Sequence, residues 1–376
     1  MDDTFPVQSR IAPFFLEGKN FLLILGIFLV LCGCDSGPTP ESVPPNISSE
    51  RVVETMHSVR AYQLAQLPDG RKLRGWSHCA FYAGMMAAYQ ATGDRVYLDS
   101  TRVWAIRNDW TLGANEDHAD HQCVGQVYLD LYAETPAARR IDPTRAVMRD
   151  RLGDPRPGHE VWDWADALFM APPVWARLGA ATGNDIYFNF MSERFWEASE
   201  PLFDPEHGLY YRDERFVDRE TAHGAPVFWS RGNGWVLAGI ARILQHLPED
   251  HSAHPRFVKR FRTMAAAVAP LQQDDGLWRT SLLDPCEYPA PETSGTALFT
   301  YALAWGINEG YLSREDYRAT VLKGWGGLSE AVNEEGRLGW VQEVGSRPGP
   351  VEMENTGAYG VGGLLMAGSE LLRMLE

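Results

Sequence analysis

The chain has 376 residues, 45% of them hydrophobic and 11% aromatic, enough apolar material for one large core or two ordinary ones. A formal charge of −16 argues against nucleic acid or an anionic membrane surface as the main partner. An acidic small ligand stays open, because a local arginine cluster can override the net field.

The first predicted element is an export segment. Phe21 to Leu31 form an apolar run behind Arg10 and Lys19, too short to span a bilayer and suited to a signal-peptide core. The run ends in Leu31-Cys32-Gly33-Cys34, which resembles a bacterial lipobox. On that reading residues 1–33 are a lipoprotein-type signal peptide and Cys34 is lipidated. The mature protein is then exported and held at a membrane only by its lipid. An ordinary signal peptide or a signal anchor is the alternative. Residues 34–48, rich in Pro and Ser, read as a flexible tether.

Residues 49–376 form the body. Period-2 alternation is almost absent there, and the apolar spacing predicts twelve helices. They fall roughly at 49–66, 78–92, 94–110, 120–134, 138–152, 166–181, 185–198, 230–247, 255–270, 294–308, 314–332 and 356–375. Even-numbered members, such as GWVLAGIARIL and TALFTYALAWG, are apolar on nearly all sides, whereas odd-numbered members carry charge on one face. A helix apolar all round is buried and an amphipathic one lies outside. The connections repeat as well: ATGDRVYLD (91–99) and ATGNDIYFN (181–189) each join a buried helix to an amphipathic one. Six inner/outer pairs predict an all-α (α/α)6 toroid, with an open helical solenoid as the alternative.

In such a toroid the inner helices all begin at one end. RGWSHC (74–79), HADHQC (118–123), WDWADA (162–167), FWSRGN (228–233), PETSGT (291–296) and MENTGA (353–358) would then share one mouth. Helix N-termini there offer free N–H groups and positive dipole ends, which suits an anionic ligand. Asp120, Asp166, Ser230, Thr293 and Asn355 or Thr356 are capping types, and capping explains each of them singly. It explains Trp164, Trp229, Arg231 and Trp235 poorly. Arg231, flanked by Trp229 and Trp235, is a natural partner for a carboxylate; a structural ion pair, with Asp166 as one candidate, is the plainer reading. Two carboxylates, Asp120 and Asp166, on adjacent inner helices suit acid/base chemistry on a sugar.

The body holds only Cys79, Cys123 and Cys286, an odd and widely spaced set that does not read as a disulfide framework. With His78 and His121 they could form a mixed zinc site. No CxxC or HxxxH spacing supports one, so no metal or other cofactor is expected. Nucleophile and nucleotide motifs are missing too.

DHQCVGQVYLDLY, WADALFM, GLYYRDERF, FWSRGNGWVLAGIARIL, ETSGTALFTYAL and YGVGGLLMAG together resemble glycoside hydrolase family 105, the unsaturated rhamnogalacturonyl hydrolases, with family 88 as a more distant relative. The likeness runs from about residue 50 to the C-terminus. It implies an (α/α)6 barrel that removes a 4,5-unsaturated uronic acid from the non-reducing end of lyase-generated oligosaccharides, of rhamnogalacturonan type. The implied reaction is hydration of the C4=C5 double bond. The family's W-x-D aspartate falls on Asp166, as proton donor and then base. A second aspartate falls on Asp120 or a neighbour in 116–121. Trp164, Trp229, Arg231 and Trp235 become substrate-binding residues. Trp76 and His78, which match a first motif loosely, and Thr293, at the fifth inner entrance, are further substrate-binding candidates. Where some members carry His after YY, this chain has Arg212, a second candidate for the uronate carboxylate. A lyase or inverting glycosidase on the same toroid, or a sugar-binding lipoprotein without catalysis, are the other readings. No obligate protein partner is inferred.

Overall fold

The computed structural model describes residues 47–68 and 71–376. The predicted signal peptide, the Cys34 lipidation site and the tether up to residue 46 lie outside the described residues. The last two tether residues belong to the body: Ile47 is buried, and the Ser48 side chain caps the first helix by accepting the Arg51 N–H.

Six hairpins follow one another. The first is α1 (Ser49–Ala65) and α2 (Trp76–Thr92). The second runs from α3 (Arg95–Arg107) to α4 (Ala119–Gln122) and α5 (Gly125–Glu134), and the third from α6 (Ala138–Arg151) through the short α7 (Gly158–Val161) to α8 (Ala167–Met170) and α9 (Pro172–Thr182). In the fourth, α10 (Asp185–Ser199) leads into a two-residue hairpin, β1 (Phe203–Asp204) against β2 (Leu209–Tyr210), and then α11 (Ser230–Leu244). The last two are α12 (His254–Val268) with α13 (Thr293–Asn308), and α14 (Arg314–Glu330) with α15 (Ala358–Leu375).

The twelve predicted helices are all present, but two inner ones are broken near their starts. One breaks between Gln122 and Gly125, the other at Ala171 before Pro172. Proline cannot donate to the preceding turn and sits comfortably at a new helix start, so Pro172-Pro173 forces the second break. These are the two inner helices that carry Asp120 and Asp166.

The ring is closed. Inner helices pack in the order α2, α5, α9, α11, α13, α15, and α15 packs against α2 again. Closure, which the open-solenoid alternative lacks, depends on a close backbone approach. A Cβ at Gly84 in α2 would strike the Gly362 backbone in α15, and a Cβ at Gly362 would strike Ala80 and Phe81. The repeated ATG-D and ATG-N turns are also explained. Gly93 and Gly183 end their helices in the left-handed region, at φ 69° and 63°. Asp94 and Asn184 then cap the next helices by accepting the N–H of Val96 and Ile186.

The cysteine reading needs correction. Cys79, in the first turn of α2, is disulfide-bonded to Cys123, between α4 and α5, with Cα atoms 5.9 Å apart. Forty-odd intervening residues hid the pair in sequence, and the packing of α2 beside α5 brings them together. Cys286 is free and exposed. With two of its thiols spent on each other, the mixed His/Cys zinc set is not assembled among the described residues. The bridge ties the Asp120 segment to α2. Replacing both residues by Ser should lower stability by about 2–3 kcal/mol, read as a fall in denaturation midpoint. An unchanged midpoint would show the bridge to be mechanically idle.

Candidate active site

The mouth at the inner-helix N-termini gathers the predicted carboxylates. Asp166 immediately precedes α8 with helical dihedrals, and its side chain caps nothing. The capping reading of Asp166 is therefore wrong. Its carboxylate is 13% exposed, and Oδ2 makes no hydrogen bond. Burial pushes its pKa up, while the guanidinium groups of Arg212 and then Arg231 pull it back. Asp120 lies in the first turn of α4, capped by the His118 ring rather than by itself. Burial, and then the charge of Asp166, push Asp120 up to about 6. Each of the two carboxylates is thus made a weaker acid by its surroundings.

Trp164 and His118 flank the pair. Their rings lie 4.9 Å apart, and His118 Nδ1 is 3.8 Å from Asp120 Oδ2. Because Nδ1 accepts the Asp120 N–H, a neutral His118 carries its proton on Nε2. His118 is a site residue that the sequence reading passed over, although it stands within the EDHADH stretch.

Arg212 reaches the same corner by a constrained route. Asn233 of α11 accepts the Tyr210 N–H at 2.8 Å and donates to the Tyr210 carbonyl at 3.0 Å, clamping β2. Two residues on, the Arg212 carbonyl accepts the Ala165 N–H at 2.7 Å. The Arg212 guanidinium then lies between Asp213, at 2.6 Å, and Asp166, at 3.5 Å, and 6.0 Å from the centre of the Trp164 ring. Beside it opens a cavity of about 720 Å³ lined by Arg156, His159, Asp163, Arg212 and Arg215 among others.

Several other expected ligand contacts turn out to be structural. Trp229 and Trp235 are 1% and 0% exposed, so neither presents a face to a sugar. Trp229 Nε1 donates to Gln342 Oε1 at 2.7 Å, and Trp235 packs on Phe169 and Trp76. Arg231 is fully buried and is not ion-paired to Asp166. It donates to the carbonyls of Gln342 at 2.6 Å and Glu343 at 2.9 Å, lying over the rings of Trp229 and Tyr359. It pins the 341–343 segment to the mouth and acts on Asp166 only through its charge. Thr293 is buried and donates to the Gly339 carbonyl; the cap of α13 is Glu292, which accepts the N–H groups of Ser294 and Gly295. Ser230 is likewise no cap, since α11 begins at it, and α15 is preceded by Gly357 rather than by a capping Asn355 or Thr356. Trp76 and His78 stand half-buried in the first turn of α2, Trp76 against Tyr359 at 4.9 Å. Burial holds the His78 pKa down, keeping it neutral.

A closed six-hairpin toroid brings two weakened carboxylates, an arginine and a half-buried tryptophan to one mouth, the equipment of an enzyme that works by acid/base chemistry. Comparison with known proteins gives the family. The profile of Glycosyl Hydrolase Family 88 matches residues 48–375, and the chain belongs to that family. It is 36% identical to an unsaturated 3S-rhamnoglycuronyl hydrolase of Alteromonas sp. (strain LOR), over 94% of this chain and 98% of that one. Among solved structures, a glycosyl hydrolase family 88 protein from Bacteroides vulgatus is similar at 33% identity and TM-score 0.83, covering 88% of this chain and all of that one. A structure described as a polysaccharide lyase is similar at 37% identity and TM-score 0.82, covering 88% and 98%.

Proposed function

We propose that this enzyme removes a 4,5-unsaturated uronyl residue from the non-reducing end of an oligosaccharide, with rhamnose as the sugar released. The observation that carries this reading is the Asp120–Asp166 corner, where two carboxylates that burial makes reluctant to ionise stand beside Arg212 and Trp164. The name of the Alteromonas relative supports rhamnose as the neighbour of the uronyl group.

In the proposed sequence Asp166 donates its proton to C4, and positive charge develops at C5 and the ring oxygen. Asp120 and the Nε2–H of His118 orient a water, which adds to C5 and returns its proton to Asp166. The hemiketal so formed opens, C1 is left as a hemiacetal, and its collapse frees the next sugar. Trp164 supplies an apolar edge for the sugar ring.

The test is the ultraviolet absorbance of the conjugated double bond on a panel of lyase products. Loss of absorbance supports hydration. A rise would favour the second reading, a lyase that makes the double bond, which the similarity to a described polysaccharide lyase brings forward. Because the acid must be protonated, kcat/KM should be highest at mildly acidic pH. It should fall as pH rises past about 6, where Asp120 gives up the proton the pair holds. A rate still climbing through neutral pH would contradict a carboxylic acid donor.

We also propose that Cys34 carries a lipid and that the enzyme works outside the cytoplasm; the Leu31–Cys34 sequence supports this. Metabolic labelling with palmitate, lost in Cys34→Ala, is the check.

A further inference from the structure

Arg212 is bound unequally to its two carboxylates. Its Nη1 donates to Asp213 at 2.6 Å, and Arg215 holds Asp213 from the other side through two bonds of 2.9 Å. Its Nε faces Asp166 Oδ2 at 3.5 Å, and neither of these buried atoms completes a hydrogen bond. The Arg212 side chain is 21% exposed and sits near the Trp164 ring, so a ligand arriving over Trp164 meets it. A carboxylate placed there would give the guanidinium the two-point pairing that Asp166 does not supply.

We propose that Arg212 is a transferable counterion: in the empty site it holds Asp166 as a carboxylate, and on binding it turns to the substrate's uronate carboxylate, leaving Asp166 to take up a proton. This inference rests on the hydration reading given above.

The groups facing Asp166 allow such a transfer. Asp120 approaches from α4, with His118 and His121 beside it. Arg212 and Asp213 come from the stretch after β2, and Arg231 from α11. Once Arg212 turns away, Arg231 is the remaining cation, and it is anchored on the Gln342 and Glu343 carbonyls. The substrate also brings a negative charge. Both changes favour the neutral acid. The proton comes across from Asp120 in mildly acidic solution and from water above that range. It is delivered to C4 and the adding water replaces it; when product leaves, Asp166 gives the borrowed proton back to Asp120 or to water and Arg212 returns to the carboxylate. A permanent Arg212–Asp166 pair would keep the acid ionised and inert. A sugar end without a carboxylate leaves Arg212 on Asp166, so the acid is armed only by the correct class of substrate.

The experiment is titration calorimetry at neutral pH in two buffers of different ionisation heat. The ligand is a disaccharide ended by saturated glucuronate, which carries the carboxylate but no reactive double bond. Wild type should take up about one proton per ligand bound. The methyl ester of the same ligand should bind without uptake. Asp166→Asn should lose most of the uptake. Arg212→Met should bind about tenfold more weakly and take up less than half as much, because its Asp166 is already protonated when empty. Arg212→Lys, which keeps the charge but not the fork, should fall between the two. The proposal is overturned if wild type does not bind the glucuronate ligand, binds it without proton uptake, or shares its uptake with Arg212→Met. Proton uptake without any turnover of unsaturated oligosaccharides would reject the hydration reading alone. Turnover without uptake would reject the counterion alone.

Discussion

Asp166→Asn should leave a fully folded toroid whose turnover of unsaturated oligosaccharide is lower by about three orders of magnitude. The amide has the shape of the carboxyl but no proton to give to C4. No structural bond is lost with the charge. Asp166 caps no helix, and its Oδ2 lacks a hydrogen-bond partner. Arg212 keeps Asp213 at 2.6 Å as its ion-pair partner. Burial raises the Asp166 pKa, so the ionised form costs stability at neutral pH and protonation relieves it. The neutral amide should therefore melt at the same temperature as wild type or slightly above it. Thermal unfolding followed by circular dichroism, set beside the ultraviolet assay, separates the two effects. A variant with a tenth of wild-type activity would remove Asp166 from the role of proton donor.

Gly362→Val should have the largest effect on stability, about 4 kcal/mol or more, and should yield little folded protein. The side chain would be driven into the Ala80 carbonyl and the Phe81 N–H, and no rotamer can move backbone atoms out of the way. Either α15 separates from α2 and the ring opens, or both helices shift along their length. Gly326→Ala is the matched control. That glycine lies within α14 with nothing near its missing Cβ, so the change should be neutral or slightly stabilising. Wild-type stability in Gly362→Val would mean that the α2–α15 contact does not close the ring.

The closed ring was readable in sequence because each helix writes its own burial locally. GWVLAGIARIL is apolar on all sides and HPRFVKRFRTMAAAV on one, and that contrast alone places α11 inside and α12 outside. The repeated ATGDRVYLD and ATGNDIYFN connections were visible for the same reason, since the caps and turns that the structure shows at Asp94, Asn184, Gly93 and Gly183 act over two to four residues. Asp120 and Asp166 stood out as carboxylates at adjacent inner-helix starts and Arg212 through motif resemblance, and the toroid brings them to one corner.

What escaped the sequence depends on partners far along the chain. The aromatic and arginine signature WSRGNGW marked Trp229, Arg231 and Trp235 as ligand contacts, but it cannot say which way a buried helix turns its faces. Arg231 is held by carbonyls more than a hundred residues away, and a backbone carbonyl leaves no residue type to recognise. Cys79 and Cys123 pair across 44 positions only because α2 and α5 are neighbours in the ring. Asn233 draws no attention in sequence, yet its bonds to Tyr210 aim Arg212. Periodicity and local turn chemistry, which act over a few residues, thus determined the six hairpins and the mouth to which the site belongs. Which side chains enter that mouth, and which brace it from behind, was decided by the packing of hairpins and loops around the ring, whose contacts join residues that no local pattern connects.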